Sequence, residues 1–262
     1  MSCTKRRFHA WTRSCLCALG LWSAAASGAG EAASRDPYLE VPRTDQGLPG
    51  VGPLRRYDWF LNLWKERRTT WSQRLEADRG AVVFFGDSIT QGWGDAMGGA
   101  FPGLKVANRG IGGDTTRGLL LRLQHDVLSL KPKGIVLLIG TNDLEEKAEP
   151  EVPAMNLRWL LEQIRSFDPK LPVLLCEVFP SSVEKKRPAE KIRRINELYR
   201  GLGADFPQVT LVPTWALFAN ASGDATPEEF PDLLHPNEKG YAKWAEALRP
   251  ALEKTGLMAR RL

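Results

Sequence analysis

Five short apolar runs, at residues 81–85, 104–107, 134–139, 172–176 and 208–212, are separated by stretches whose apolar residues recur at helical spacing. Leu157, Leu160, Leu161 and Ile164 follow the i, i+3, i+4, i+7 pattern, as do Tyr241, Trp244, Ala245 and Leu248. Ile192, Ile195, Leu198, Tyr199 and Leu202 form a third stripe. A strand that reads as a continuous apolar run, rather than alternating, is buried on both faces, which is the condition of a parallel sheet covered by helices. Right-handed crossovers then give a doubly wound α/β fold, a three-layer α/β/α sandwich. A chain of 262 residues is long enough to bury such a core without disulfides.

The segments ahead of the sheet pattern differ in kind. Residues 1–29 carry Lys5, Arg6, Arg7 and Arg13, then an apolar and small-residue run from Cys15 to Ala26, with Ala24, Ala26, Ser27 and Ala29 as small residues near its end. This is the pattern of a secretory signal peptide, and the chain is expected to be secreted or periplasmic. The apolar stretch is short for a membrane span, so no stable membrane association is expected. Those four cations account for most of the formal net charge of +5, leaving about +1 for the rest, so no nucleic-acid partner is read into the basic balance. Three of the four cysteines (Cys3, Cys15, Cys17) fall in the same segment, and Cys176, within an apolar run, reads as a buried inert thiol. Residues 30–55, with Pro37, Pro42, Pro49 and Pro53, read as an extended lead-in to a single domain over 56–262. Within that domain, residues 56–77 read as an added N-terminal helix, with Phe60, Leu63 and Trp64 on one face.

In open parallel sheets, sites form at the carboxyl ends of strands. Four polar motifs fall there: Gly86-Asp87-Ser88 after the first run, Asn108 to Thr115 after the second, Gly140-Thr141-Asn142-Asp143 after the third, and Asp232 to His235 after the last. Of the three histidines, His9 lies in the leader and His125 in a mixed-polarity helical stretch, which leaves His235 as the candidate imidazole base. Asp232, three residues earlier, would share a face with it in a helical turn and could hold its tautomer. Ser88 is the candidate nucleophile, although taken alone this segment also reads as a helix N-cap, and the G-x-S-x-G elbow is not matched because Thr90 fills the last position. Asp87 reads as a brace for the turn. The glycine-rich loop could cradle a phosphate or offer a backbone N–H to an oxyanion, and Asn142 could present its amide to the same point. One active-site histidine and no thiolate cluster supply too few ligands for a metal, and no cofactor motif is matched.

Together the four blocks, Gly86-Asp87-Ser88-Ile89-Thr90, Asn108 through Thr115, Gly140-Thr141-Asn142-Asp143 and Asp232-Leu233-Leu234-His235-Pro236, make the chain similar to the SGNH (GDSL-like) hydrolases. Within them it resembles the platelet-activating-factor acetylhydrolase catalytic subunits and related bacterial acetylesterases. The resemblance covers roughly residues 80–254. It implies a flavodoxin-like sandwich with a five-stranded parallel sheet, and a triad of Ser88, Asp232 and His235. It also implies an oxyanion hole from Ser88 N–H, Gly113 N–H and the Asn142 side chain. The expected function is hydrolysis of short-chain esters through an acyl-enzyme, with O-acetyl groups of carbohydrate as the favoured substrate. A short-chain lipid ester, acyl transfer to an alcohol, and a non-catalytic glycan-binding role on the same scaffold stand as alternatives. Trp93 could stack on a sugar or pack in the core. The segments 181–188 and 214–231 are expected to border the site.

Overall fold

The structure is a computed structural model and describes residues 37–260; the leader proposed for residues 1–29 lies outside them. In chain order the elements are α1 (Asp58–Ser72), α2 (Leu75–Asp78), β1 (Val82–Gly86), α3 (Ser88–Gly92), β2 (Val106–Gly110), α4 (Thr116–Asp126), β3 (Gly134–Leu138), α5 (Thr141–Glu145), α6 (Glu151–Phe167), β4 (Val173–Cys176), α7 (Ala189–Asp205), β5 (Val209–Val212), α8 (Thr214–Phe218) and α9 (Glu238–Lys254). The strands form one five-stranded sheet in the order β2-β1-β3-β4-β5. Every pairing is parallel, as the continuous apolar runs require.

Alternation along each strand divides the core into two layers. Val83, Phe85, Ile135, Leu137, Val173 and Leu175 face one side, where the stripes of α4, α6 and α7 close over them. Val82, Phe84, Val136, Leu138, Leu174 and Cys176 face the other, against α3, α8 and α9. Each fully buried Val, Leu, Ile or Phe contributes about 1.5–3 kcal/mol relative to exposure. Cys176 lies here, and burial pushes its thiol up to about 12, so it is inert as the sequence implied. Trp93 is also core: it is 6% exposed and stacks on Trp244 at 4.5 Å and Tyr241 at 5.2 Å. It offers no face to a sugar.

Two elements differ from the sequence reading. The second strand runs over Val106–Gly110, so Asn108, Arg109 and Gly110 belong to the sheet rather than to the following loop, paired with Phe84, Phe85 and Gly86. Their polar side chains are satisfied internally: Arg109 donates to Asp78 (2.8 Å) and to the Asp126 carbonyl (3.0 Å). The helix expected over residues 56–77 is broken after Ser72 into α1 and α2.

α1 is held to the sheet by an aromatic and charged array. Trp64 and Trp71 are buried against Arg122, whose guanidinium is 0% exposed and lies 4.6 Å from the Phe85 ring. Arg122 donates to Asp114 (2.7 Å) and to the carbonyls of Arg109 and Gly86, so the charge is both paired and hydrogen-bonded, as burial demands. Arg68 reaches both Asp126 oxygens at 3.0 Å. The lead-in is laid across α4 and α6: Asn156 bonds both backbone groups of Val51, and Thr115 donates to the Pro53 carbonyl. Among the described residues no helix is long and apolar enough to cross a membrane.

Candidate active site

The chain begins its sheet at β1, adds β2 on one side, then crosses to β3 on the other, so a switch point lies at the carboxyl ends of these three strands. Ser88 opens α3 directly after β1 and is half-buried. Asp87 caps that helix by accepting from Ile89 N–H at 3.0 Å, and burial pushes its carboxyl up to about 6 against that bond. It braces the turn, as the sequence implied. Gly110 permits α3 to sit there, since a Cβ would lie 2.3 Å from the Gln91 nitrogen. Asn108 ties the far end of α3 down, donating to the Thr90 carbonyl at 2.8 Å and the Gly94 carbonyl at 3.0 Å.

His235 reaches Ser88 because α9 packs beside α3. Tyr241 donates to the Ile89 carbonyl at 2.9 Å, and Trp244 stacks on Trp93. Asp232 and His235 do not share a helical turn. They lie in a turn closed by the carboxylate itself, which accepts from His235 N–H (2.7 Å) and Leu234 N–H (3.1 Å), while Leu233 sits at φ +60°. The other Asp232 oxygen accepts from Nδ1 of His235 at 2.8 Å, which leaves Nε2 facing Ser88 Oγ at 2.9 Å. Burial opposes charge on Asp232 but is outweighed by these N–H donors and the imidazole, and its carboxyl is held at about 2. An ionised carboxylate, an oriented imidazole and a hydroxyl in file can activate that hydroxyl for attack.

Ser88, Gly112, Gly113, Asn142, Asp232 and His235 line one cavity of about 400 Å3. Gly112 N–H is taken by Gln91 Oε1 at 2.6 Å. Gly113, at φ +83°, has Trp59 and Arg55 packed over its Cα, and a Cβ would fall 2.5 Å from the indole. Asn142 donates one amide hydrogen to the Asp114 carbonyl (2.9 Å) and has the Asp87 carboxylate at 3.5 Å. His125 is elsewhere, exposed on α4 with its ring 4.0 Å from that of Tyr38.

Three wall residues were not singled out in the sequence, although Arg187 lies within the segment 181–188 expected to border the site. Arg187 is buried and donates to Asn142 Oδ1 (2.9 Å), Thr141 Oγ1 (3.0 Å) and Glu145 (2.8 Å). Burial lowers its pKa, opposed by Glu145. Arg55 and Trp59 come from the lead-in and α1, which the sequence reading left without a role. The segment 181–188 does border the site, through Glu184, Lys185, Lys186 and Arg187.

A doubly wound parallel sheet carrying an Asp–His–Ser file at its switch point is the framework of an acyl hydrolase that uses a hydroxyl. Residues 84–243 match the model of the GDSL-like Lipase/Acylhydrolase family, and the chain belongs to that family; it is a carboxylic ester hydrolase. It is 32% identical over 174 residues to platelet-activating factor acetylhydrolase IB subunit alpha2 of Homo sapiens, covering 64% of this chain and 73% of that protein. It is 29% identical over 178 residues to subunit alpha1 of Rattus norvegicus, covering 65% and 74%. A GDSL-like lipase of Bacteroides thetaiotaomicron shares the fold with a TM-score of 0.62 at 24% identity, over 71% of this chain and 97% of that one.

Proposed function

We propose that this protein is an exported serine esterase that removes short acyl groups, acetyl above all, from carbohydrate through an acyl-enzyme. The observation that carries the reading is the file of Asp232, His235 and Ser88, at 2.8 and 2.9 Å, opening on the same cavity as Gly113 and Asn142. His235 takes the Ser88 proton as Oγ forms a bond to the ester carbonyl carbon. Ser88 N–H, Gly113 N–H and the Asn142 amide receive the oxyanion. The alkoxide leaves with the proton from His235. Water then adds to the acyl carbon, giving its proton to His235, and the acid departs as Ser88 Oγ regains it.

The acyl length and the alcohol are supported by different features. Platelet-activating factor acetylhydrolase subunits, about a third identical, are acetyl-removing by name, which favours a short acyl group here. Among the described residues, Trp59 and Leu234 are the only large apolar side chains that line this cavity of about 400 Å3, which supports a small acyl group. Export rests on the basic n-region and apolar run of residues 1–29, and suits a polymer outside the cytoplasm.

Turnover of p-nitrophenyl acetate, butyrate and octanoate by the mature chain, beside Ser88→Ala, tests the reading. Activity that falls with acyl length and vanishes in a folded Ser88→Ala variant is expected. Wild-type turnover by that variant overturns the mechanism, and a preference for octanoate overturns the short-acyl assignment.

A further inference from the structure

We propose that Tyr57 and Trp59 form a platform on which a pyranose ring of the substrate stacks, beside the cavity that holds Ser88. The proposal rests on the carbohydrate reading above and gives it a location. Both residues precede the family-matched region, which begins at residue 84, and stand at the start of α1.

Scattered exposed apolar side chains are ordinary on a protein surface, so exposure alone decides nothing. Here two large rings are exposed together, Tyr57 at 52% and Trp59 at 51%, with their planes within 12° and centroids 6.3 Å apart. They line a second cavity of about 510 Å3 that shares Arg55, Trp59, Glu145 and Lys186 with the cavity of Ser88. The two cavities therefore share a continuous wall, and in the proposal the alcohol portion of an ester held at Ser88 follows that wall to the rings.

The rings are fixed before any ligand arrives. Arg55, itself buried, donates to Glu145 and Glu146, and its guanidinium lies 5.8 Å from the centre of the Trp59 ring. The Tyr57 hydroxyl donates to Glu146 at 3.2 Å, and Phe60 meets Trp59 edge-on at 5.7 Å. Rigid aromatic faces lose little entropy on binding.

The surrounding charges select the ligand class. A quaternary ammonium group is attracted to aromatic faces but is disfavoured where cations outnumber carboxylates around them. The walls carry Arg55, Lys147 and Lys186 against Glu145 and Glu146, a surplus of cations. An alkyl chain would need apolar walls, and the two rings are the only ones among the described residues. A sugar ring has an apolar C–H face for the aromatics and a rim of hydroxyls for carboxylates and ammonium groups, which fits both sets of groups.

The test compares kcat/KM for p-nitrophenyl acetate with that for chemically O-acetylated xylo-, cello- and chito-oligosaccharides, in the wild type, Tyr57→Ala and Tyr57→Phe. Tyr57 is exposed at the start of α1, and a thermal melt checks that each variant folds. Tyr57→Ala is expected to lower the oligosaccharide-to-nitrophenyl ratio about tenfold, mainly through KM, while Tyr57→Phe keeps most of it. An unchanged ratio in Tyr57→Ala, with the wild type active on the oligosaccharides, overturns the platform and leaves the carbohydrate reading standing. Wild-type turnover of the nitrophenyl ester but of none of the oligosaccharides overturns the carbohydrate reading and the platform with it. Tyr57-dependent hydrolysis of acetylcholine would assign the rings to a cation instead and overturn the sugar assignment.

Discussion

Arg187 places its guanidinium 2.9 Å from the side-chain carbonyl of Asn142, and so fixes which end of that amide is turned toward Asp114 and Asp87. A free amide can flip. With Oδ1 committed to a buried cation, the nitrogen end is held where one hydrogen is bonded to the Asp114 carbonyl and the other has only a 3.5 Å contact to exchange for an oxyanion.

On the proposed mechanism Arg187 is a positioning residue, and its removal should act through Asn142. Asn142→Ala is expected to lower kcat by about 10²–10³, the usual loss of one oxyanion donor. Arg187→Met should cost about tenfold or more in kcat, with a smaller change in KM. The double variant should be no worse than Asn142→Ala alone, since the arginine has nothing left to orient. Additive losses in steady-state kinetics would show that Arg187 contacts the substrate independently.

Asp232→Asn makes the second prediction. The asparagine can keep the backbone bonds from Leu234 and His235 through its carbonyl, so the turn should stand. Its amide hydrogens would then face Nδ1, forcing the proton onto Nε2 and removing the acceptor for Ser88. Loss of about 10⁴ in kcat with little change in melting temperature is expected; a loss below tenfold would mean that another group orients His235. A carboxyl held at about 2 stays ionised until strong acid, so an acid limb seen above pH ~4 does not belong to Asp232.

The sequence made β1, β3 and β4 legible because their apolar runs are uninterrupted, β5 because its run is broken only by Thr210, and α6, α7 and α9 because their stripes are long. β2 was half-read for a physical reason: Asn108 and Arg109 are polar residues in a buried strand, satisfied by Thr90, Gly94, Asp78 and Asp126 from other elements. No local pattern announces such partners. Ser88 and His235, which the structure brings to 2.9 Å of each other, stood out because the four blocks occur together in order, not because either segment is distinctive by itself. Arg55 and Trp59 were not found, and Arg187 was reached only as part of the segment 181–188, since their place in the wall depends on where the lead-in and the loop before α7 cross the sheet edge. Trp93 shows the converse: an aromatic next to the nucleophile block in sequence is turned into the core by α9.

Asp143 makes the last prediction, on stability. Its carboxyl joins the starts of α4 and α5, accepting from Thr116 Oγ1 at 2.6 Å and Thr116 N–H at 3.1 Å. Burial pushes it up to about 7, opposed by those two bonds, from an ordinary value of 3.8. A folded-state value above the unfolded one means that the native protein binds the proton first as pH falls. Between about pH 7 and 4 the folded state thus carries more protons at this site, and stability rises on acidification by up to ~1.4 kcal/mol per pH unit before the unfolded chain also protonates. Asp143→Asn preserves both contacts, with the carbonyl accepting from Thr116 N–H and the amide donating to Oγ1, yet carries no charge to bury. In urea titrations across that window, the variant should be more stable than wild type at pH 7 and should lose the advantage by pH 4. A difference independent of pH would mean that Asp143 does not titrate there. Asp87 and Asp114 are raised by burial in the same direction, so residual pH dependence in the variant is expected and its sign should match.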